Sequence, residues 1–74
     1  MITADIVVDE PAADALYQAA LPELMTTERA AITARAEKNR VIFTIKSQDA
    51  TAFRAGMNTL IQILTVFEKM KKIK

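Results

Sequence analysis

From Ala50 to about Lys72 the chain runs without proline and carries apolar residues on more than one side of a helical wheel. At about 1.5 Å per residue, such a helix is a rod of about 34 Å. Only 74 residues are present in all, so few other elements remain to cover it. How that rod is covered decides what the chain can fold into.

At 100° per residue the segment divides into three stripes. Phe53, Met57, Leu60, Ile61, Leu64 and Phe67 share one, with the larger side chains. They are expected to pack on a sheet. Ala52, Ala55, Gly56, Thr59, Ile63, Val66 and Met70 make a second apolar stripe, and Arg54, Asn58, Gln62, Thr65, Lys69 and Lys72 a polar one. A small sheet covers one stripe only. A shorter helix could cover part of the second, which would leave Ile63, Val66 and Met70 wet. Burying each would be worth about 1.5–3 kcal/mol, so a partner chain is the expected cover. Gly56 is the sole glycine, and inside a helix it costs about 1 kcal/mol relative to alanine. Its position implies a close backbone approach, either to the first helix or to a partner helix.

The remaining elements read from local signals. Ile2, Ala4, Ile6 and Val8 alternate with Thr3, Asp5 and Val7, as in a strand over residues 2–8. Asp9-Glu10-Pro11 opens a helix: proline at its first position loses no hydrogen bond, and Asp9 or Glu10 can cap. That helix is expected over Pro11–Leu21 and to stop at Pro22, because a residue before proline avoids helical geometry. Leu24–Glu28 reads as a loop. Residues 30–37 read as a second strand, and Val41, Phe43 and Ile45 belong to a third. Lys38-Asn39 between them is a tight-turn signal, since asparagine tolerates the left-handed conformation. Asp49, or else Ser47, caps the long helix. The expected fold is α+β, β-α-β-β-α: one domain spanning residues 1–74, with a three-stranded antiparallel sheet and two helices on one face. This layout is similar to a KH domain without its glycine-rich clamp loop.

Composition narrows the function. A core this small gives only about 3–5 kcal/mol of stability. The chain has no cysteine and no histidine, so disulfides cannot help and the usual zinc ligands are missing. Oligomerisation or docking onto a larger protein is the remaining common solution. No signal peptide and no membrane-spanning run is recognised, so the expected location is cytoplasmic, with no membrane partner.

Catalysis is not expected. There is no histidine base, and one glycine cannot build a phosphate loop. Asp9 and Glu10 are explained by the helix dipole, and the hydroxyl of Ser47, the only serine, by a local hydrogen bond beside the cap. No cofactor and no small-molecule substrate is implied. Net charge is only +1, but cations gather in two places: Arg35, Lys38 and Arg40 around the hairpin, and Lys69, Lys71, Lys72 and Lys74 at the end. These are weak candidates for RNA contact. A helix C-terminus favours lysines in any case.

The string Asp49-Ala50-Thr51-Ala52-Phe53-Arg54-Ala55-Gly56-Met57-Asn58-Thr59 resembles the D-x-T-A-[LF]-R-A-x-x-N-[ST] opening of the final helix in the small subunit of the KEOPS complex, archaeal type. That family also holds the cancer/testis antigen relatives. Ala15-Leu16-Tyr17-Gln18-Ala19-Ala20-Leu21-Pro22-Glu23 is similar to the family's A-x-x-[IL]-Y-x-[AS]-L-x-P-E stretch. The resemblance covers essentially the whole chain. It departs at Gln62, where arginine is usual, and at Ala20, which interrupts paired leucines.

The resemblance implies a homodimer that docks both helices onto the threonylcarbamoyl-transferase subunit. It implies a non-catalytic scaffold, bridging transferase subunits and helping to hold transfer RNA while threonylcarbamoyladenosine is made at position 37 of ANN-decoding transfer RNAs. The expected docking face is Ala12, Ala15 and Ala19 on the first helix with Ala52, Gly56, Thr59, Ile63, Val66 and Met70 on the second. The other readings are an autonomous RNA-binding module, or a dimerisation domain of another complex.

Overall fold

A computed structural model describes residues 1–72, with side chains through Lys71. The order is β1 (Ile2–Asp9), α1 (Ala13–Ala20), a 3-10 turn (Leu21–Glu23), β2 (Ala30–Glu37), β3 (Arg40–Ser47) and α2 (Ala50–Lys72). The fold is α+β, as the residue pattern implied. The strands form one antiparallel sheet in the order β1-β3-β2.

Alternation sets the register. Val41, Phe43 and Ile45 of central β3 are fully buried. They face Val8, Ile6 and Ala4 across one side and Ala36, Ala34 and Ile32 across the other. The helices pack on this face, and Leu16 of α1 with Leu60, Ile63 and Phe67 of α2 completes a single core. The opposite face carries Thr3, Asp5, Val7, Ile42, Thr44 and Lys46, and there the Thr44 hydroxyl donates to Asp5 at 2.8 Å. The β2–β3 hairpin turns at Asn39, whose φ of 60° is the left-handed value that asparagine tolerates.

Four local expectations need correction. First, α1 starts later and ends differently. Pro11 lies in a turn, Ala12 (φ −93°, ψ 50°) stands before the helix, and the carboxylate of Glu10, not Asp9, accepts the Ala12 N–H at 3.0 Å. Leu21 keeps helical angles (φ −51°, ψ −48°) although proline follows. Pro22 sits in the first turn of the 3-10 segment, where its missing N–H has no partner to lose.

Second, the 24–29 segment is more than a loop. Met25 C=O accepts from Ile32 N–H at 2.8 Å, Thr27 N–H donates to Ala30 C=O at 2.7 Å, and Thr26 bridges to Ala31. The segment folds back along the start of β2. Third, the Ser47 hydroxyl is buried and unpartnered among the described residues, so no local hydrogen bond explains it. Asp49 is the cap: it accepts from Ala52 N–H at 2.8 Å.

The fourth correction concerns α2. Its buried line is Ala52, Gly56, Leu60, Ile63 and Phe67, while Phe53, Met57 and Leu64 are half-buried and Ile61 is 53% exposed. The helix is turned by about a fifth of a revolution from the stripe of large side chains. Gly56 is the reason. A Cβ there would stand 3.1 Å from Cγ2 of Ile45 and 3.9 Å from Ile32. The close approach the glycine permits within the chain is to its own sheet, not to α1. Ile63, expected to be wet, is buried at 6% exposure.

Candidate functional site: the groove between the helices

Rotation of α2 sorts the expected docking residues into two groups. Ala52, Gly56 and Ile63 are spent on the core. Val66 and Met70 stay 57% exposed, and Val66 is on the flank of α2 that faces α1. On α1 the buried side is Ala13, Leu16 and Ala20, so Ala12, Ala15 and Ala19 point away from the core. Ala12 and Ala15 are exposed and line no part of the groove described next.

Between the helices lies a groove of about 110 Å³, lined by Ala19, Glu23, Thr59, Gln62, Ile63, Val66 and Phe67. The buried edges of Ile63 and Phe67 form its floor. Ala19 and the 3-10 turn make one wall, Thr59 and Val66 the other. Leu21 is 40% exposed beside it. Glu23 and Gln62 give it a polar mouth. The Thr59 hydroxyl is used internally, on the Ala55 carbonyl at 3.2 Å. The groove offers shape and apolar surface rather than reactive groups, and among the described residues no His, Cys, Asp or Glu cluster suited to a metal is present.

A second set of contacts closes one end of the molecule. Glu10 is only 8% exposed. Its Oε2 takes the Ala12 N–H, and its Oε1 takes Nζ of Lys71 at 2.7 Å. Its own N–H donates to the Asn39 carbonyl at 2.9 Å. One residue thus ties together the hairpin, the start of α1 and the end of α2. The Lys71 hydrogen bond, then the Ala12 N–H, hold this carboxyl below the usual glutamate range, while burial works against them. Lys71 also lies 5.8 Å from the centre of the Phe67 ring. Sequence reasoning missed this tie: the two partners are 61 positions apart, and no local pattern links them.

Of the cations proposed for RNA, Lys71 is tied through Glu10 to the hairpin turn at Asn39, while Arg35 and Arg40 stand on the sheet face turned away from the helices. They are not all free. Glu37 binds Arg35 at 3.2 Å and lies 3.8 Å from Arg40, and Lys71 is held by Glu10. Lys38 and Lys69 are exposed. The side chain of Lys72, and Lys74 altogether, lie outside the described residues.

A family model described as "Transcription factor Pcc1" matches residues 1–72. The chain belongs to the Pcc1 family. Pcc1 is a family of KEOPS subunits, so the KEOPS resemblance carried by α1 and α2 holds at the level of the family. No curated protein matches the chain. Among the described residues no helix is long and apolar enough to cross a membrane. Membership of the Pcc1 family implies membership of a protein complex.

Proposed function

We propose that this Pcc1 chain is the non-catalytic scaffold of a KEOPS complex: it dimerises, bridges threonylcarbamoyl-transferase subunits and helps hold transfer RNA during threonylcarbamoyladenosine formation at position 37 of ANN-decoding species. The observation that carries the reading is the groove between α1 and α2, with Val66 exposed in its wall, Met70 exposed one turn further along α2 and Leu21 exposed in the 3-10 turn. A partner helix laid there would cover side chains that the monomer leaves wet. The docking surface is Ala19, Leu21, Thr59, Val66 and Met70, with Ala12 and Ala15 as its outer margin; Ala52, Gly56 and Ile63 support it from beneath.

Co-purification with the transferase subunit tests this. Val66→Asp and Met70→Asp each place a charge on an exposed position, so the fold should survive and capture should be lost. Retained capture in the double variant would remove the assignment.

Dimerisation is proposed through the sheet. Edge strand β1 is uncovered along its outer side, whereas the start of β2 is shielded by the 24–29 segment. Pairing a second copy along β1 would extend the sheet and bury Ile2, which is 36% exposed. Light scattering should give twice the chain mass at micromolar concentration. A stable monomer would count against it.

RNA contact is assigned to Lys38 and Lys69, with Arg35, Arg40, Lys71 and Lys72 as a weaker surround. Glu37, Glu10, Asp9 and Glu68 lie among them. That mixture favours RNA binding within the assembly over binding by the isolated chain.

A further inference from the structure

The buried carboxylate of Glu10 has no part in docking or RNA contact as proposed, yet it is the most enclosed charge among the described residues at 8% exposure. Such a group needs partners, because an unpaired buried charge is costly. It has two, and they belong to different helices: the Ala12 N–H at 3.0 Å before α1, and Lys71 Nζ at 2.7 Å in the last turn of α2. The corner is lined by Val8, Asp9, Leu16, Leu64, Phe67 and Glu68. Asp9 and Glu68 are anionic, and Lys71 is the one cation among the described side chains lining it.

Phe67 connects this corner to the groove. Its ring is part of the groove floor on one side and of the Glu10 corner on the other, with the Lys71 ammonium 5.8 Å from its centre. Val66 and Met70 stand in the same two turns of α2. Beyond Phe67, the helix has no other buried side chain among those described. What fixes the last turn is therefore mainly the ion pair.

We infer that Glu10 and Lys71 form a latch that holds the end of α2 against the start of α1 and so positions Phe67, Val66 and Met70 as a preformed docking surface. This rests on the docking role proposed above. The latch adds no contact with the partner. It removes the cost of ordering the last turn when the partner arrives. In docking, Lys71 then acts through Glu10 and not by touching the partner protein.

Two variants separate these roles. Lys71→Met removes the ammonium and keeps most of the apolar stem beside Phe67. Glu10→Gln keeps an acceptor for the Ala12 N–H and leaves the Lys71 charge in place. Amide exchange of the free full-length chain is the first measurement. Both variants should speed exchange in residues 68–72 by about tenfold while leaving the amides around Leu60 unchanged. Unchanged last-turn exchange, or an equal rise throughout the chain, overturns the latch.

Affinity for the transferase subunit is the second. Each variant should weaken binding by a similar factor, the double variant should be no weaker than either, and Lys71→Arg should restore most of the loss. Weakening by Lys71→Met with none by Glu10→Gln would instead make Lys71 a direct contact and overturn the inference. If Val66→Asp and Met70→Asp leave capture intact, the docking reading fails by itself, and the exchange measurement still decides the latch.

Discussion

Gly56 shows how one missing methyl sets the geometry of a whole helix. Its neighbour Ile45 is fully buried in the central strand and β-branched, so it has little freedom to withdraw. Alanine at position 56 would gain about 1 kcal/mol of helix propensity and place its Cβ 3.1 Å from Ile45. Leucine is far worse, because the extra atoms have no space between helix and sheet. Gly56→Leu should lower stability in chemical denaturation by about 3 kcal/mol, at the upper end of overpacking costs. Any loss of partner capture in that variant then reports a damaged fold. A Gly56→Leu chain as stable as the parent would show that α2 does not sit where the glycine puts it. The glycine was conspicuous in the sequence, but the direction of its close approach was not. A wheel weighted by side-chain size places the large residues on the sheet. The helix in fact turns Ala52 and Gly56 inward ahead of Phe53 and Met57, and the glycine lets the two backbones come together.

At the scale of elements, boundaries with a chemical signal were legible. Asp49 announced the start of α2, Lys38-Asn39 announced the hairpin, and alternation announced the strands. Each is a short-range effect between neighbours in sequence. The Asp49 carboxyl is held below its usual range, first by the Ala52 N–H and then by the guanidinium of Arg29, which pairs with it from the segment before β2. Asp49→Ala should cost about 1 kcal/mol, as loss of an N-cap does, measured as a shift of the denaturation midpoint with unchanged slope. A cost near zero would mean that the start of α2 is held without its cap. The doubling-back of residues 24–29 was not legible. Backbone groups make much of it, and the Thr27 hydroxyl completes it by accepting from the N–H of Arg29 and Ala30; one threonine is too common a residue to advertise such a turn. The turn after α1 was misjudged for a related reason: proline forbids one hydrogen bond, and a 3-10 turn does without it.

For the whole molecule, the acid limb of stability follows from two carboxylates. Glu10 and Asp49 both bind protons less readily folded than unfolded. Their contribution is complete above the unfolded values of about 4. It is lost as pH falls through the lower folded values, where the folded state must take up protons. Thermal melts should therefore be flat from about pH 7 to pH 5 and fall below about pH 4. Glu10→Gln should make that fall shallower, and an identical acid limb in Glu10→Gln would remove Glu10 from the account. The candidate site was legible in part. Val66, Met70 and Ala19 followed from their place on a helix face. The Glu10–Lys71 tie did not, because only the folded chain brings its two ends together.

The folded-back segment at residues 24–29 has a consequence for growth. It shields the first half of β2, and the rest of that strand ends in Arg35 and Glu37, charges that discourage further pairing. A sheet guarded on one side can add a neighbour only along the other. Two copies joined along β1 use up each other's free edge, and the pair has none to offer a third. In the dimer proposed above, the stop at two copies would then follow from the way residues 24–29 fold back on β2.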